Sequence, residues 1–352
     1  MQRRDFVKLS GLSALALSSG WKPGFKPALP KNWAWCSIDN KLADKEIQVF
    51  FEKYRSAGIT GLLSSGSNEM YERASRIAKK SGVELHAWRW TMNRGQYLKT
   101  NPEWYAVNRK GESCADHPPY VDYYRWLCPS RKEVQEAIIK DYESLCDIPE
   151  LSGVHLDYVR YCDIYLPKEL QPKYNLVQTY EMPEFDYCYC PLCRKLFKEQ
   201  SGRDPLEMKD PAADKEWHEF RLNQVVKLVN AIVDRVHKKE KVITGAVFPT
   251  PAMSRTMVRQ NWAKFNLDAY MPMLYQNFYG EPINWIGDCV KEALTELPVG
   301  TPIYAGLFRG ALKDDELSKV NKLVKDAGGA GLSFFTAESL SATDLATIKT
   351  MS

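Results

Sequence analysis

From Trp33 onward, short apolar runs of strand type alternate with amphipathic stretches whose hydrophobic positions recur every three to four residues. The runs are WAWCSID (33–39), ITGLLSSG (59–66), VELHAWRW (83–90), GVHLDYVRY (153–161), VITGAVFPT (242–250), LDAYMPMLY (267–275), TPIYAGLF (301–308) and GLSFFTAE (331–338). The stretches between and after them predict helices over 44–57, 69–80, 130–146, 214–239, 253–264, 284–296, 314–327 and 342–351. Ser130 reads as the N-cap of the third helix, with Glu133 three residues on. Eight strands alternating with eight helices is the count of an α/β fold of the (β/α)8, or TIM-barrel, type. No GxGxxG loop follows the first strand, as an open dinucleotide-binding sheet would require, and no cofactor is expected. No linker or shift in composition divides residues 31–352, which therefore read as one barrel domain.

In such a barrel the chemistry sits at the C-terminal ends of the strands and on the loops that follow. Two of these loops are far longer than the usual few residues: 93–127 after strand three, and 162 to about 211 after strand four. Both flank GVHLDYVRY. Strand alternation puts His155 and Asp157 on one face, and gives Val154, Leu156 and Tyr158 to the helix layer. Asp157 then points inward near the top, with Arg160 and Tyr161 beyond it at the rim. A carboxylate beside an arginine should be ionised, which suits a nucleophile or a base that activates water. The same pair also reads as a structural Asp–Arg contact holding the loop.

Hydrolysis of a glycosidic bond normally uses two carboxyl groups. Candidates for the partner of Asp157 are Asp39, Glu69, Asp163, Glu184 and Glu338. Glu338 and Asp39 end strands eight and one, which adjoin when the barrel closes. Each of these acids reads equally well as a helix N-terminal or surface carboxylate.

Composition sharpens the substrate class. Ten Trp and 19 Tyr are many for 352 residues, and flat aromatic faces suit pyranose rings, although much of this load must fill the core. Strand three brings Trp88, Arg89 and Trp90 to the rim, strand six Tyr275, Gln276, Asn277 and Tyr279, and strand seven is followed by Arg309. Stacking rings beside hydroxyl-binding polar groups fit an oligo- or polysaccharide. His86 and 271–274 read as core. A net charge of +4 without a long basic run argues against nucleic acid.

The segment MQRRDFVKLSGLSALALSSG has the charged start and short apolar stretch, Leu9 to Leu17, of an export signal. Arg3–Arg4 resembles a twin-arginine signal, which exports folded proteins. Residues 1–30 are therefore expected to be a signal and linker, and the mature chain to be periplasmic or associated with the cell surface. No later apolar run is long enough to span a membrane. Nine cysteines cannot all pair. CYCPLC places Cys188, Cys190 and Cys193 within six residues. With Cys162 or another residue as fourth ligand they have the chemistry for a structural zinc, while a disulfide or free thiols in a tight turn fit the spacing as well. No catalytic metal is expected.

Several of these segments, in this order, resemble the glycoside hydrolase-like family 10 proteins of bacteria. VELHAWRW is similar to that family's third strand, and NPEWYAVNRKGES with LCPSRKEVQEAIIKDYESL to its Pro-Glu-Trp loop and following helix. GVHLDYVRY is similar to its hallmark DGIHLDYIRYP. WHEFRLNQVVKLVNAIVDRVHK, AVFPTP and NWAKFNLDAYMPMLY also follow its pattern. The resemblance implies a barrel acting on bacterial polysaccharide or cell-surface glycans. It puts Asp157 at the family's catalytic aspartate, with His155, Tyr158, Arg160 and Tyr161 as its motif neighbours. Ser152 and Cys162 depart from the pattern, and CYCPLC is seen in only part of the group. Three functions are compatible with this reading: an exported glycoside hydrolase, a carbohydrate-binding barrel without turnover, and a metal-dependent enzyme built on His155, Asp157 and the cysteines.

Overall fold

The computed structural model describes residues 29–351. The export segment read at 1–30 therefore lies outside the described residues except for Leu29 and Pro30. Eight parallel strands run β1 (Asn32–Ser37), β2 (Gly61–Ser65), β3 (Glu84–Trp90), β4 (Gly153–Asp157), β5 (Val242–Val247), β6 (Ala269–Pro272), β7 (Tyr304–Phe308) and β8 (Gly331–Phe335). The ladder joins them in the order β6-β5-β4-β3-β2-β1-β8-β7. It closes between β6 and β7 through the bridges Tyr270–Ile303 and Met273–Gly306, so the sheet is the expected (β/α)8 barrel.

The helices are α1 (Asp44–Ser56), α2 (Asn68–Lys80), α3 (Lys132–Cys146), α4 (Pro191–Ser201), α5 (Lys215–Lys238), α6 (Pro251–Val258), α7 (Gln276–Tyr279), α8 (Asn284–Glu296), α9 (Glu316–Asp326) and α10 (Ala342–Met351). Their starts follow local chemistry: Ser67, Asp214 and Thr250 each accept a hydrogen bond from the first turn of α2, α5 and α6. No described helix is long and apolar enough to cross a membrane.

Several boundaries shift by a few residues from expectation, and at two of them the structure shows why. Ser130 does not cap α3, which starts at Lys132 behind Arg131; its hydroxyl instead accepts a hydrogen bond from the Cys193 thiol at 3.2 Å. The helix expected over 253–264 stops at Val258, because Arg259 turns left-handed (φ 50°) to bury its guanidinium against Glu181 and Asp186. A tertiary ion pair overrides helical propensity there.

Inside the barrel, Trp33, Trp35, Leu63, Ala246, Ala269, Met271 and Tyr304 form the core, with Leu29, Trp88, Met273 and Phe335 packed against it. Trp33 meets His86 and Tyr304 edge to face. Val154 and Leu156 lie in the separate outer core beneath the helices, as alternation demands. Gly153 is needed at the base of β4: a Cβ there would come within 2.3 Å of the Val242 carbonyl and 2.8 Å of the His86 ring.

The long loops after β3 and β4 fold onto each other. Asn108 bridges to Tyr187, Tyr189 donates its N–H to the Val107 carbonyl at 2.7 Å, and Tyr120 stacks on Phe185 at 4.3 Å. Together they wall one side of the barrel mouth.

Candidate active site at the barrel mouth

Asp157 is the last residue of β4, where the strand ladder ends and the chain turns into the long loop. Its carbonyl accepts the Thr91 N–H at 2.7 Å, tying it to the end of β3. Its carboxylate accepts the Tyr158 N–H at 2.7 Å on Oδ1 and the Trp88 indole N–H at 2.9 Å on Oδ2. Burial raises the Asp157 carboxyl above its ordinary pKa, and the two hydrogen bonds and the Arg160 charge do not cancel that rise. The group is thus easier to protonate than a surface aspartate, the reverse of what the sequence suggested.

The reason is where Arg160 goes. It is only 6% exposed, and its guanidinium bonds Asp163 at 3.1 Å and the Tyr161 carbonyl at 3.0 Å. Its faces pack on Trp126, Tyr158 and Phe248. Arg160 therefore neutralises Asp163, and Asp157 has no ion-pair partner among the described residues.

Beneath Asp157, His155 is completely buried, with Nδ1 2.8 Å from the Thr244 hydroxyl and its ring edge-on to Trp35. Burial drives its pKa well below the usual value, so it is neutral. The same Thr244 oxygen lies 3.3 Å from Nδ1 of His86, whose pKa burial lowers to about 3. One hydroxyl proton can serve only one imidazole acceptor, so at least one of the two rings carries its proton on Nδ1 and donates to the Thr244 oxygen. His155 supports the cleft floor and has no exposed surface with which to touch a ligand.

Above this floor the strand ends present aromatic rings. Phe335 stands 6.4 Å from Trp88, 6.0 Å from Trp35 and 6.1 Å from Tyr275. Tyr275 continues to Phe308, and Phe308 to Phe278. On the opposite side Trp90, 40% exposed, leans on Tyr158 and Tyr123 at 4.8 and 5.9 Å. The Asp157 carboxyl thus sits in an aromatic rim contributed by the ends of five strands and the loop after β3.

Other candidates lie elsewhere. Tyr158 leaves the strand in a left-handed turn (φ 48°) and joins this rim instead of the helix layer. Tyr161 is buried, 1% exposed, and cannot meet a ligand. Arg89 points outward, bonding the Gly66 carbonyl at 2.6 Å and the Tyr71 hydroxyl at 3.1 Å. Gln276 is buried and donates to the Ala311 carbonyl, whereas Asn277 is exposed. Arg309 is held by Asp344 and Asp314, each at 2.8 Å.

Of the five carboxylates considered as partners, the two at strand ends, Glu338 and Asp39, are bonded away from Asp157. Glu338 is exposed and accepts the Ser37 N–H at 2.9 Å; its charge acts on Cys36 and Tyr54. Asp39 is exposed and caps its own turn through the Lys41 N–H. Phe335, Phe308, Phe278 and Tyr123 escaped the sequence reading. Alternation in GLSFF, with Ser333 and Phe335 on one face, held the signal for the first of these.

No protein-family model matches the chain, and no curated protein matches it. Solved structures do. The PgaB (BpsB) glycoside hydrolase domain of Bordetella bronchiseptica aligns over 90% of this chain and 95% of its own, with TM-score 0.65 and 11% identity. The catalytic domain of β-amylase from Paenibacillus polymyxa aligns over 89% and 94%, with TM-score 0.58 and 11% identity. A β-galactosidase from Marinomonas ef1 gives TM-score 0.62 at 11% identity over 91% of this chain, which spans 58% of that one. These neighbours are diverse glycoside hydrolases, and what this chain shares with them is the barrel fold.

Proposed function

We propose that this chain is an exported glycoside hydrolase that cleaves glycosidic bonds in a polysaccharide or cell-wall glycan, with Asp157 as its essential carboxylate. The observation that carries the reading is a carboxyl of raised pKa at the C-terminal end of a barrel strand, ringed by aromatic faces. The resemblance of GVHLDYVRY and its flanking segments to glycoside hydrolase-like family 10, and the glycoside hydrolases among the fold neighbours, support it.

The raised pKa of Asp157 supports the role of general acid. Protonated, Asp157 gives its proton to the glycosidic oxygen as the bond to the anomeric carbon breaks; water then adds to that carbon, and the proton it releases restores the Asp157 carboxylic acid. Trp88 holds the carboxyl in place through Oδ2, and the neighbouring rings stack on the sugar and exclude water. The twin-arginine-like start of the chain supports delivery to the periplasm or cell surface.

The test is a screen of polysaccharides and peptidoglycan fragments for new reducing ends. Asp157→Asn, nearly isosteric, should abolish hydrolysis while leaving circular dichroism and melting intact; full activity in that variant would falsify the assignment. That the strand-end candidates Glu338 and Asp39 are bonded elsewhere favours a second reading, a carbohydrate-binding barrel without turnover. Tight retention of a glycan on an array, with no reducing ends released from it, would select that reading.

A further inference from the structure

The two long loops converge on a feature that the glycan site does not use. Cys128, just ahead of α3, meets Cys188, Cys190 and Cys193 from the loop after β4, and all four sulfurs lie within 4.8 Å of one another. The Cys128 sulfur is 3.4 Å from that of Cys193 and 3.7 Å from that of Cys190. All four side chains are buried. Cys162, the fourth ligand suggested by sequence, is instead turned toward the Asp163 carbonyl, and His155 and Asp157 are not part of the group.

We propose that these four cysteines form a structural zinc site. A tetrahedral zinc with Zn–S bonds of about 2.3 Å requires sulfur–sulfur separations of about 3.8 Å, which the closest pairs already approach. Four equivalent soft ligands with no vacant position are the donor set of a structural site, not a catalytic one. Binding replaces four S–H bonds by four S–Zn bonds and releases four protons, with no change of oxidation state. The resulting negative charge meets backbone donors already aimed at sulfur: Val107 N–H to Cys188 at 3.4 Å, and Cys193 N–H to Cys190 at 3.5 Å. Two disulfides fit this arrangement poorly. Any such pairing of the four needs one bridge closed within CYCPLC itself, whereas here the sulfurs surround a single point.

The site's place in the fold explains its use. It clamps the loop after β3 to the loop after β4, the two segments that wall the mouth beside Asp157. Tyr161, four residues beyond Asp157, is buried beside Cys128, Cys188 and Cys193. The metal would thus brace the strand end from behind. Such a site needs reduced thiols when it is filled, and a chain exported already folded could acquire its zinc in the reducing cytoplasm.

The test is metal analysis of the full-length protein purified without added metal or chelator. One zinc per chain, with an X-ray absorption signature of four sulfurs at about 2.3 Å, is the expected result. Cys128→Ser and Cys193→Ser should each lose the metal, while Cys36→Ser, a buried cysteine outside the group, keeps it. If the ligand variants fail to fold, the wild-type protein still decides: a strong chelator should lower its melting temperature, and added zinc should restore it. Absence of zinc, iron in its place, or alkylation and mass spectrometry showing disulfides among these four residues would overturn the proposal.

Discussion

Replacing Trp88 by Phe separates the electrostatic role of the indole from its packing. The indole N–H donates to Oδ2 of Asp157 at 2.9 Å and is one of the influences lowering its pKa. Phenylalanine keeps an aromatic ring in line with Phe335 but removes that donor. A hydrogen bond to a charged acceptor contributes about 1.5–3 kcal/mol, and one pKa unit corresponds to about 1.36 kcal/mol. Because the bond favours the ionised form, its loss should raise the Asp157 pKa by about 1–2 units. A general acid works only while protonated, so the alkaline limb of the kcat/KM profile should move to higher pH by the same amount. The smaller ring leaves some space, at a stability cost of about 1–2 kcal/mol, which thermal denaturation measures separately. The assay is kcat/KM against pH on a glycan found in the reducing-end screen. An alkaline limb that stays put, or moves to lower pH, would refute the role of Asp157 as acid.

Other substitutions test the surroundings. Trp90→Ala removes an exposed ring and its contacts with Tyr158 and Tyr123; KM should rise roughly 2- to 10-fold, from about 0.5–1.5 kcal/mol of lost stacking, with a smaller change in kcat. Arg221→Met leaves Asp186 buried with less compensation and should cost about 3–5 kcal/mol in urea denaturation at neutral pH. Burial alone would raise the Asp186 carboxyl, but Arg221 and Arg259 hold it below the ordinary carboxylate value. Its contribution to stability is therefore present above the unfolded pKa of about 3.9 and is lost as pH falls through the lower native value. The wild-type protein should accordingly lose stability in acid, and Arg221→Met should flatten that dependence.

The barrel was legible because its signals are local. Each strand and helix carries its own periodicity, and alternation within β4 was enough to bury Val154 and Leu156 under the helices and to aim Asp157 inward. The same argument failed at Tyr158, where a left-handed residue ends the strand and no periodicity survives. Arg160 and Asp157, three residues apart, looked like partners. The fold gave Arg160 to Asp163 and enclosed it between Trp126, Tyr158 and Phe248, leaving Asp157 to be governed by burial. CYCPLC announced three sulfurs, but Cys128 lies 60 positions before Cys188, and only the packing of one long loop on the other brings it in.

The amino-acid sequence by itself determined the architecture, the order of the elements and the strand end on which Asp157 stands, because hydrophobic period and turn chemistry act over a few residues. Only the tertiary structure decided the protonation tendency of Asp157, the aromatic rim around it and the fourth member of the cysteine group. Desolvation, ion pairing and ligand convergence depend on what lies nearby in space, and these neighbours come from strands and loops far apart in the chain.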